Sequence, residues 1–237
     1  MKITPFSIII PVYNEQDNIL NLYNEINKSF YDNQINLYEI IFVDDCSIDN
    51  SNKIIKTLLD KDKKIKLLSN DLNYGQSYSI TKGIKNSSNN IIVTIDGDGQ
   101  NNPFDILKLL KFYNNSQFKL IGGLRNKRKD PFIKIISSKL ANKIRSFILK
   151  DNCTDTGCGL KIFDKEIFMS FEYFNGIHRF LPALFLGYGH KTFFIEVDHR
   201  ERKYGVSKYG TLKRLFSGIL NIARVKRMLG GIKKYKN

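Results

Sequence analysis

The stretch IIVTIDGDGQ, from Ile91 to Gln100, decides the fold: a β-branched apolar run ends abruptly in Asp96 and Asp98, each followed by a glycine. Three similar runs occur earlier, FSIIIPV, YEIIFV and KIKLLS, and a fifth short strand is expected at Phe118 to Gly122. Segments of helical periodicity separate them, starting near Glu15, near Asp49, at Gly75 to Asn86 and after Pro103. Unbroken apolar strands alternating with helices predict an α/β chain whose mostly parallel central sheet carries helices on both faces. Polar clusters follow three of the strands: PVYNE after the first, Asp44 and Asp45 after the second, DGDGQ after the fourth. Ligands of open parallel sheets bind outside the carboxyl ends of the strands, so these clusters are expected on one rim.

The side chains of Asp96 and Asp98 offer only oxygen acceptors, the preference of hard cations such as Mg2+ or Mn2+. A pair of carboxylates suits a metal whose other positions are filled by phosphates and water. Gly97 and Gly99 leave room for a bulky ligand, and Gln100 adds a neutral oxygen. Asp-Gly is also common in solvated turns, which the pair alone does not exclude. An EF-hand loop is excluded, because the sixth and twelfth positions from Asp96 are Asn101 and Leu107. Neither a P-loop nor a GxGxxG fingerprint occurs.

Within 237 residues the formal charge is +15, and it is unevenly spread. Arg202 to Asn237 holds eleven Lys/Arg and no acid, and Lys119 to Lys150 holds ten against the single Asp130. Such blocks point to an anionic partner. Cys46, Cys153 and Cys158 form neither a CxxC pair nor an even set, which suggests a reducing compartment without a disulfide framework. The N-terminus lacks a secretory pattern, and the uncharged run Leu215 to Ala223 is far short of the roughly 18 to 20 residues of a membrane span. A cytosolic location is expected.

Together, PVYNE, VDDCSIDN and DGDGQ resemble the nucleotide-sugar half of family 2 glycosyltransferases with the GT-A fold, a Rossmann-like arrangement. GGLR (Gly122 to Arg125), CTDTGCGLKIF (Cys153 to Phe163) and HRERKYGVSKYG (His199 to Gly210) are similar to segments of the polyprenyl-phosphate glycosyltransferases, the dolichol-phosphate mannosyltransferase group. The resemblance runs in order from about Phe6 to Gly210 and implies a catalytic domain over 1–210, followed by a basic helix and tail over 211–237. It further implies that Pro11, Tyr13, Glu15 and Asp45 hold the nucleoside, with Val43 and Asp44 flanking the pocket. Asp96, Gly97, Asp98 and Gln100 would form the diphosphate and metal site, with Mg2+ or Mn2+ bound by Asp96, Asp98 and Gln100. Arg125, Arg202, Ser207 and Lys208 would face donor and acceptor phosphates, the groups that guanidinium and ammonium recognise. Asp155 would orient the acceptor or sense charge at the anomeric carbon, beside its other reading as a turn or N-cap aspartate. Asp98 and Asp155 are thus the implied catalytic pair. Cys158 and Lys161 depart from the family's usual SGFR, replacing a planar fork by a point charge.

The expected reaction is an inverting displacement from a GDP- or UDP-sugar to a polyprenyl phosphate. Mannose from GDP-mannose stands first, with glucose, galacturonate, aminoarabinose or a direct glycan or lipid A-like acceptor as alternatives. His178 and Arg179 are read beside the acceptor pocket. Leu212, Leu215, Phe216, Ile219 and Ala223 recur at helical spacing, as do Ile133, Ile136, Leu140, Ile144 and Phe147. Interspersed basic residues, each worth about 1 kcal/mol near an anionic leaflet, predict an amphipathic C-terminal interface helix and a peripheral protein on the cytosolic membrane face. A nucleic-acid-binding protein would share the charge but leave the rim carboxylates unexplained, so no nucleic acid partner is expected.

Overall fold

The computed structural model describes residues 4–125, 132–202 and 211–235, and side chains there outside 132–140, 211–217 and 232–235. Ser207 and Lys208 lie outside the described residues. Seven strands among the described residues form one sheet in the order β3-β2-β1-β4-β6-β5-β7. They are β1 (Phe6–Val12), β2 (Tyr38–Asp44), β3 (Ile65–Ser69), β4 (Ile91–Thr94), β5 (Leu120–Arg125), β6 (Lys161–Asp164) and β7 (Thr192–Val197). All neighbouring pairs are parallel except those that β6 makes with β4 and β5.

The central strands alternate their side chains between two cores, the period-2 consequence of the pleat. Ile8, Ile10, Ile40 and Phe42 join one core, covered by Ile19, Leu22 and Ile26 of α1 (Gln16–Tyr31), Ile55 and Leu58 of α2 (Ser51–Leu59) and Ile106, Leu109 and Leu110 of α4 (Asp105–Asn114). Ile9, Ile41 and Val43 face the other core. There they meet Ile80 and Ile84 of α3 (Gln76–Lys85), Ala183, Leu184 and Phe185 of α7 (Leu181–Gly187), and Val225 of α8 (Thr211–Tyr235). The first four expected strands and their helices are present. The fifth appears as β5, displaced toward the C-terminus.

β6 and β7 are absent from the expected strands. β6, KIFD, has only two apolar residues between a lysine and an aspartate, too little for a local pattern, and is fixed by ladders to strands far away in sequence. Its reversal has a consequence for the site. Running antiparallel to β4, it begins where β4 ends, with Lys161 opposite Thr94. The segment preceding Lys161 therefore reaches the same rim as the DGDGQ turn.

Two further helices are α5 (Phe132–Leu149) and α6 (Lys165–Met169), the latter capped by Asp164, whose carboxylate accepts from the Ile167 amide at 3.2 Å. On α5 the inward positions are Arg145 and Leu149, whereas Ile144 (50% exposed) and Phe147 (84%) point outward. Arg145 is buried in an ion pair with Asp151 and also donates to the Cys153 carbonyl. On α8, Ile222, Val225, Met228 and Leu229 pack inward, and Ile219 (59%) and Leu220 (57%) face out. Helices α5 and α8 touch one another.

The approach of α3 to the sheet is governed by Gly83. A Cβ there would lie 2.5 Å from Ile9 Cγ2 and 3.0 Å from Val43 Cγ2. Replacement Gly83→Val is expected to lower stability by about 1–3 kcal/mol through overpacking, measurable as a lowered urea midpoint.

Candidate active site at the sheet rim

The turns after β1 and β2 are stitched together by hydrogen bonds. The Asp45 amide donates to the Val12 carbonyl at 2.8 Å, the Asn14 amide to Ser47 Oγ at 2.9 Å, and the Ile48 amide to Asn14 Oδ1 at 2.8 Å. The Glu15 amide donates to Ser51 Oγ at 2.8 Å. Asn14 and Cys46 hold left-handed backbone (φ 52° and 62°), a strain the stitching sustains. Asp44 is buried, accepting from the Ser47 amide (3.1 Å) and Asn52 Nδ2 (2.8 Å). Asp45, also buried, accepts from Asn70 Nδ2 (2.7 Å), the Tyr74 amide (3.0 Å) and the Gly75 amide (2.8 Å).

These contacts refine the expected nucleoside pocket. Pro11 and Tyr13 are partly accessible at its edge. Glu15 is buried, taking a 2.7 Å hydrogen bond from Asn18 on Oε2. Asp45 pins the start of α3 to the sheet. Val43 packs its side chain wholly in the core, so a ligand could meet only its main chain.

The same α3 start reaches the paired acids. Gln76, its first residue, donates through Nε2 to Asp96 Oδ1 at 2.8 Å. The sequence reading missed this glutamine; its signal was a polar side chain directly after Gly75, whose φ of 88° suits glycine. Ser77 then bonds His178 Nδ1 at 2.7 Å and accepts from the Gly176 amide at 2.7 Å, which brings the expected His178 region to the rim.

Asp98 accepts from the Gln100 amide on Oδ1 (3.1 Å) and from Arg202 Nη2 on Oδ2 (2.5 Å). Gln100 donates its side-chain amide to the Arg200 carbonyl at 3.2 Å. Two glycines bring backbone close: a Cβ on Gly97 would stand 3.0 Å from the Pro11 carbonyl, and one on Gly159 would overlap the Asp96 carboxylate. Thr94 Oγ1 fastens the Gly159 carbonyl at 2.8 Å.

Asp155 and Arg125, expected to act separately, form a bidentate pair, with Nε to Oδ2 at 2.7 Å and Nη2 to Oδ1 at 2.6 Å. The Arg125 amide adds a third bond to Asp155 at 3.2 Å. Lys161, buried, donates to the carbonyls of Cys158 and Thr156 and stands near enough to act electrostatically on Asp96. Burial pushes the Cys158 thiol up to about 11, which removes it as a nucleophile at neutral pH.

Asp96 titrates abnormally. Burial first, then the neighbouring Asp98 charge, pushes it up to about 6 from 3.8, while Lys161, Arg125 and Arg202 pull it down. A buried carboxyl whose proton is held up by burial and by a neighbouring acid, on a rim where a guanidinium already attends that neighbour, fits a divalent cation. Asp96, Asp98 and the Gln100 amide oxygen are the hard donors that could hold Mg2+ or Mn2+ there. Among the described residues no cluster of three or more His, Cys, Asp or Glu forms a closed cage, so further ligands would come from phosphate and water.

A seven-stranded, mostly parallel α/β sheet, with carboxylates and cations gathered outside the carboxyl ends of its strands, is the architecture of the GT-A glycosyltransferase fold. Residues 7–171 match the model of glycosyl transferase family 2, and the chain belongs to that family. It is 32% identical over 213 residues to the undecaprenyl-phosphate 4-deoxy-4-formamido-L-arabinose transferase of Proteus mirabilis, covering 90% of this chain and 65% of that protein. The enzyme of the same name from Edwardsiella ictaluri is 30% identical, covering 87% and 63%. The chain thus spans less than two thirds of the length of these relatives. Glucosyl-3-phosphoglycerate synthase from Mycobacterium tuberculosis, solved with Mn2+, UDP and phosphoglyceric acid, has a similar fold (TM-score 0.70, 15% identity, covering 95% of this chain and 78% of that one). Mannosyl-3-phosphoglycerate synthase from Rubrobacter xylanophilus matches with TM-score 0.70, 15% identity and coverage of 95% and 75%.

The raised Asp96 gives a prediction with a definite sign. The folded chain keeps this proton to higher pH than the unfolded chain, so Asp96 makes folding progressively less favourable as pH rises from about 4 through about 6. Without metal, Asp96→Asn is expected to stabilise the fold by about 1–3 kcal/mol at pH 8 and by little at pH 4, since a tenfold change in proton affinity is worth about 1.4 kcal/mol. Denaturant titrations of both proteins in EDTA at the two pH values measure the difference.

Proposed function

We propose that the protein transfers a sugar from a nucleotide sugar to a polyprenyl phosphate at a membrane surface. The reading is carried by the rim itself, where Asp96 and Asp98 share one small volume with Arg125, Lys161 and Arg202. Asp96, Asp98 and Gln100 would hold a divalent cation here, with the guanidinium groups of Arg125 and Arg202 beside it for phosphate oxygens. When bound, a divalent cation would stabilise the negative charge that collects on the leaving nucleoside diphosphate.

The remaining chemistry falls to the chain's own residues. The stitched turns at Tyr13 to Glu15 and Asp44 to Ser47 form a rigid floor for the nucleoside. The Arg125 fork is held flat by Asp155, in an orientation suited to a phosphate. With its oxygens committed to that fork, Asp155 acts as an orienting charge for Arg125. A general base is dispensable, because an acceptor phosphate with a second pKa of about 6 is already ionised near neutrality. Direct attack by that phosphate on the anomeric carbon inverts its configuration.

The donor sugar is proposed to be an amino-substituted pentose of the 4-deoxy-4-formamidoarabinose kind, following the names of the relatives. None of the relatives described above carries a name that supports the first expectation, mannose, as the sugar delivered to a polyprenyl phosphate. The acceptor is proposed to be undecaprenyl phosphate on the same ground.

Membrane contact is proposed through the outward faces of α5 and α8. Ile144, Phe147, Ile219 and Leu220 are exposed there, accompanied by exposed Lys143, Lys150, Arg224, Lys226 and Arg227. Among the described residues no helix is long and apolar enough to cross a membrane. Apolar side chains kept outward while Arg145 is turned inward favour an interface-lying surface.

Two measurements test this reading. Purified protein incubated with undecaprenyl phosphate, a panel of nucleotide sugars and Mn2+ should yield a glycosyl phosphate lipid by mass. Asp98→Asn should slow transfer by about two to three orders of magnitude, the scale of a metal's charge stabilisation. Absence of lipid product alongside transfer to a glycan would overturn the acceptor. Separately, Phe147→Asp should weaken flotation with anionic vesicles about tenfold or more, since burial of a Phe side chain is worth about 1.5–3 kcal/mol; unchanged flotation would remove α5 from the interface.

A further inference from the structure

The three cations around the paired acids differ in how they are anchored. Lys161 is tied to backbone carbonyls and Arg125 to the carboxylate of Asp155, both outside the acid pair. Arg202 instead reaches directly onto the acids: Nη2 donates to Asp98 Oδ2, and Nη1 stands 3.9 Å from Glu15 Oε1. Its position is set by the register of the preceding residues. His199 bridges Asn101, the Arg200 amide donates to the Gln100 carbonyl at 2.9 Å, and the Arg200 guanidinium grips Glu25 (2.7 and 2.9 Å) and Asn102 (3.0 Å). Residues 199–202 are therefore laid along the DGDGQ turn, which delivers Arg202 to Asp98.

We propose that Arg202 is an internal placeholder for the divalent cation, displaced from Asp98 when metal binds and thereby released to an anionic ligand. This deepens the metal-dependent reading above and rests on it. A guanidinium hydrogen-bonded to Asp98 Oδ2 occupies a lone pair that a metal would use, and two cations on one carboxylate repel. The two states therefore compete for Asp98. Metal affinity is then reduced by the fraction of time the arginine is away: an Arg202–Asp98 pair closed about 90% of the time weakens apparent binding about tenfold. The exchange also imposes an order. Arg202 becomes available for a phosphate only after a cation has taken its place, so diphosphate meets the guanidinium in the metal-loaded site and not before.

The test is a Mn2+ titration followed by electron paramagnetic resonance, on metal-stripped protein at pH 8 without nucleotide. Wild type is compared with Arg202→Gln, Arg202→Lys and Asp98→Asn. Arg202→Gln is expected to bind Mn2+ about five- to tenfold more tightly than wild type. Arg202→Lys, which keeps the charge but loses the planar fork, is expected in between, and Asp98→Asn to lose binding. The lysine variant separates exchange from long-range repulsion: if it matches wild type while the glutamine variant tightens, the charge acts at a distance and the placeholder idea is overturned. Equal or weaker binding by Arg202→Gln overturns it as well, leaving the metal reading intact. Failure of both wild type and Arg202→Gln to bind millimolar Mn2+ would instead remove the metal reading and the exchange with it.

Discussion

Holding two carboxylates one residue apart at the enclosed end of a strand is the constraint on which the rim depends. Two unit charges about 5 Å apart repel by roughly 3 kcal/mol at an effective dielectric of about 20. Removal from water adds to that cost, which is why Asp96 is the abnormal carboxyl of the site. Such an arrangement persists only where other groups offset it. Gln76 gives Asp96 a neutral donor, Arg202 gives Asp98 a charged one, and Lys161 and Arg125 supply a positive background. Each comes from a different part of the chain, so the stability of the pair is a property of the whole rim.

The reversed strand β6 makes that gathering possible. Were it parallel to β4, Lys161 would sit at the opposite end of the sheet from Asp96 and the CTDTGCG segment would be stranded there. Running antiparallel, it places Asp155, Gly157 and Gly159 beside the paired acids. The two glycines let main chain approach where any side chain would collide with Arg125 or Asp96. The lysine at 161 then fits its position. A compact ammonium can sit buried near Asp96 while donating to carbonyls of its own turn, a geometry that does not call for a planar fork.

Much of this was legible in the sequence, and the boundary of legibility is physical. Strands β1, β2 and β4 are largely apolar and β-branched, a local signal that survives without knowledge of partners, and the carboxyl-end rule turns their order into a shared rim. The DGDGQ turn and Glu15 could be placed on that rim by topology alone, and Arg202 by the resemblance of its segment. What could not be read were relationships between residues far apart in the chain: the ladder that defines β6, the pairing of Arg125 with Asp155 across 30 positions, the reach of Gln76 to Asp96. Hydrophobic stripes carried less information. On α5 and α8, residues 144, 147 and 219 follow helical periodicity, yet the inward faces are set by Leu149 and Val225, with Arg145 buried because Asp151 and a carbonyl satisfy it. Periodicity identifies a helix face without saying which neighbour, core or lipid, that face meets.

The two sides of the rim are built on different physics. Around Tyr13 to Ser47 the turns are locked by short hydrogen bonds to backbone amides, geometry that tolerates little movement and suits recognition of a flat, rigid nucleoside. Around Asp98, Asp155 and Arg202 the contacts are ion pairs between side chains; the Arg125–Asp155 pair is enclosed (12% and 10% exposed), while the Arg202–Asp98 pair keeps more access to solvent (24% and 14%). A reaction that admits a charged donor, expels a charged product and receives a charged acceptor needs that second kind of contact, since every stage changes the local charge. On the proposed metal-dependent reading, the acids cannot be neutralised permanently without closing the site to metal, and cannot be left bare without destabilising the fold. An exchangeable internal cation resolves both demands, and the end of a side chain as long as arginine's is where such an exchange costs no backbone rearrangement.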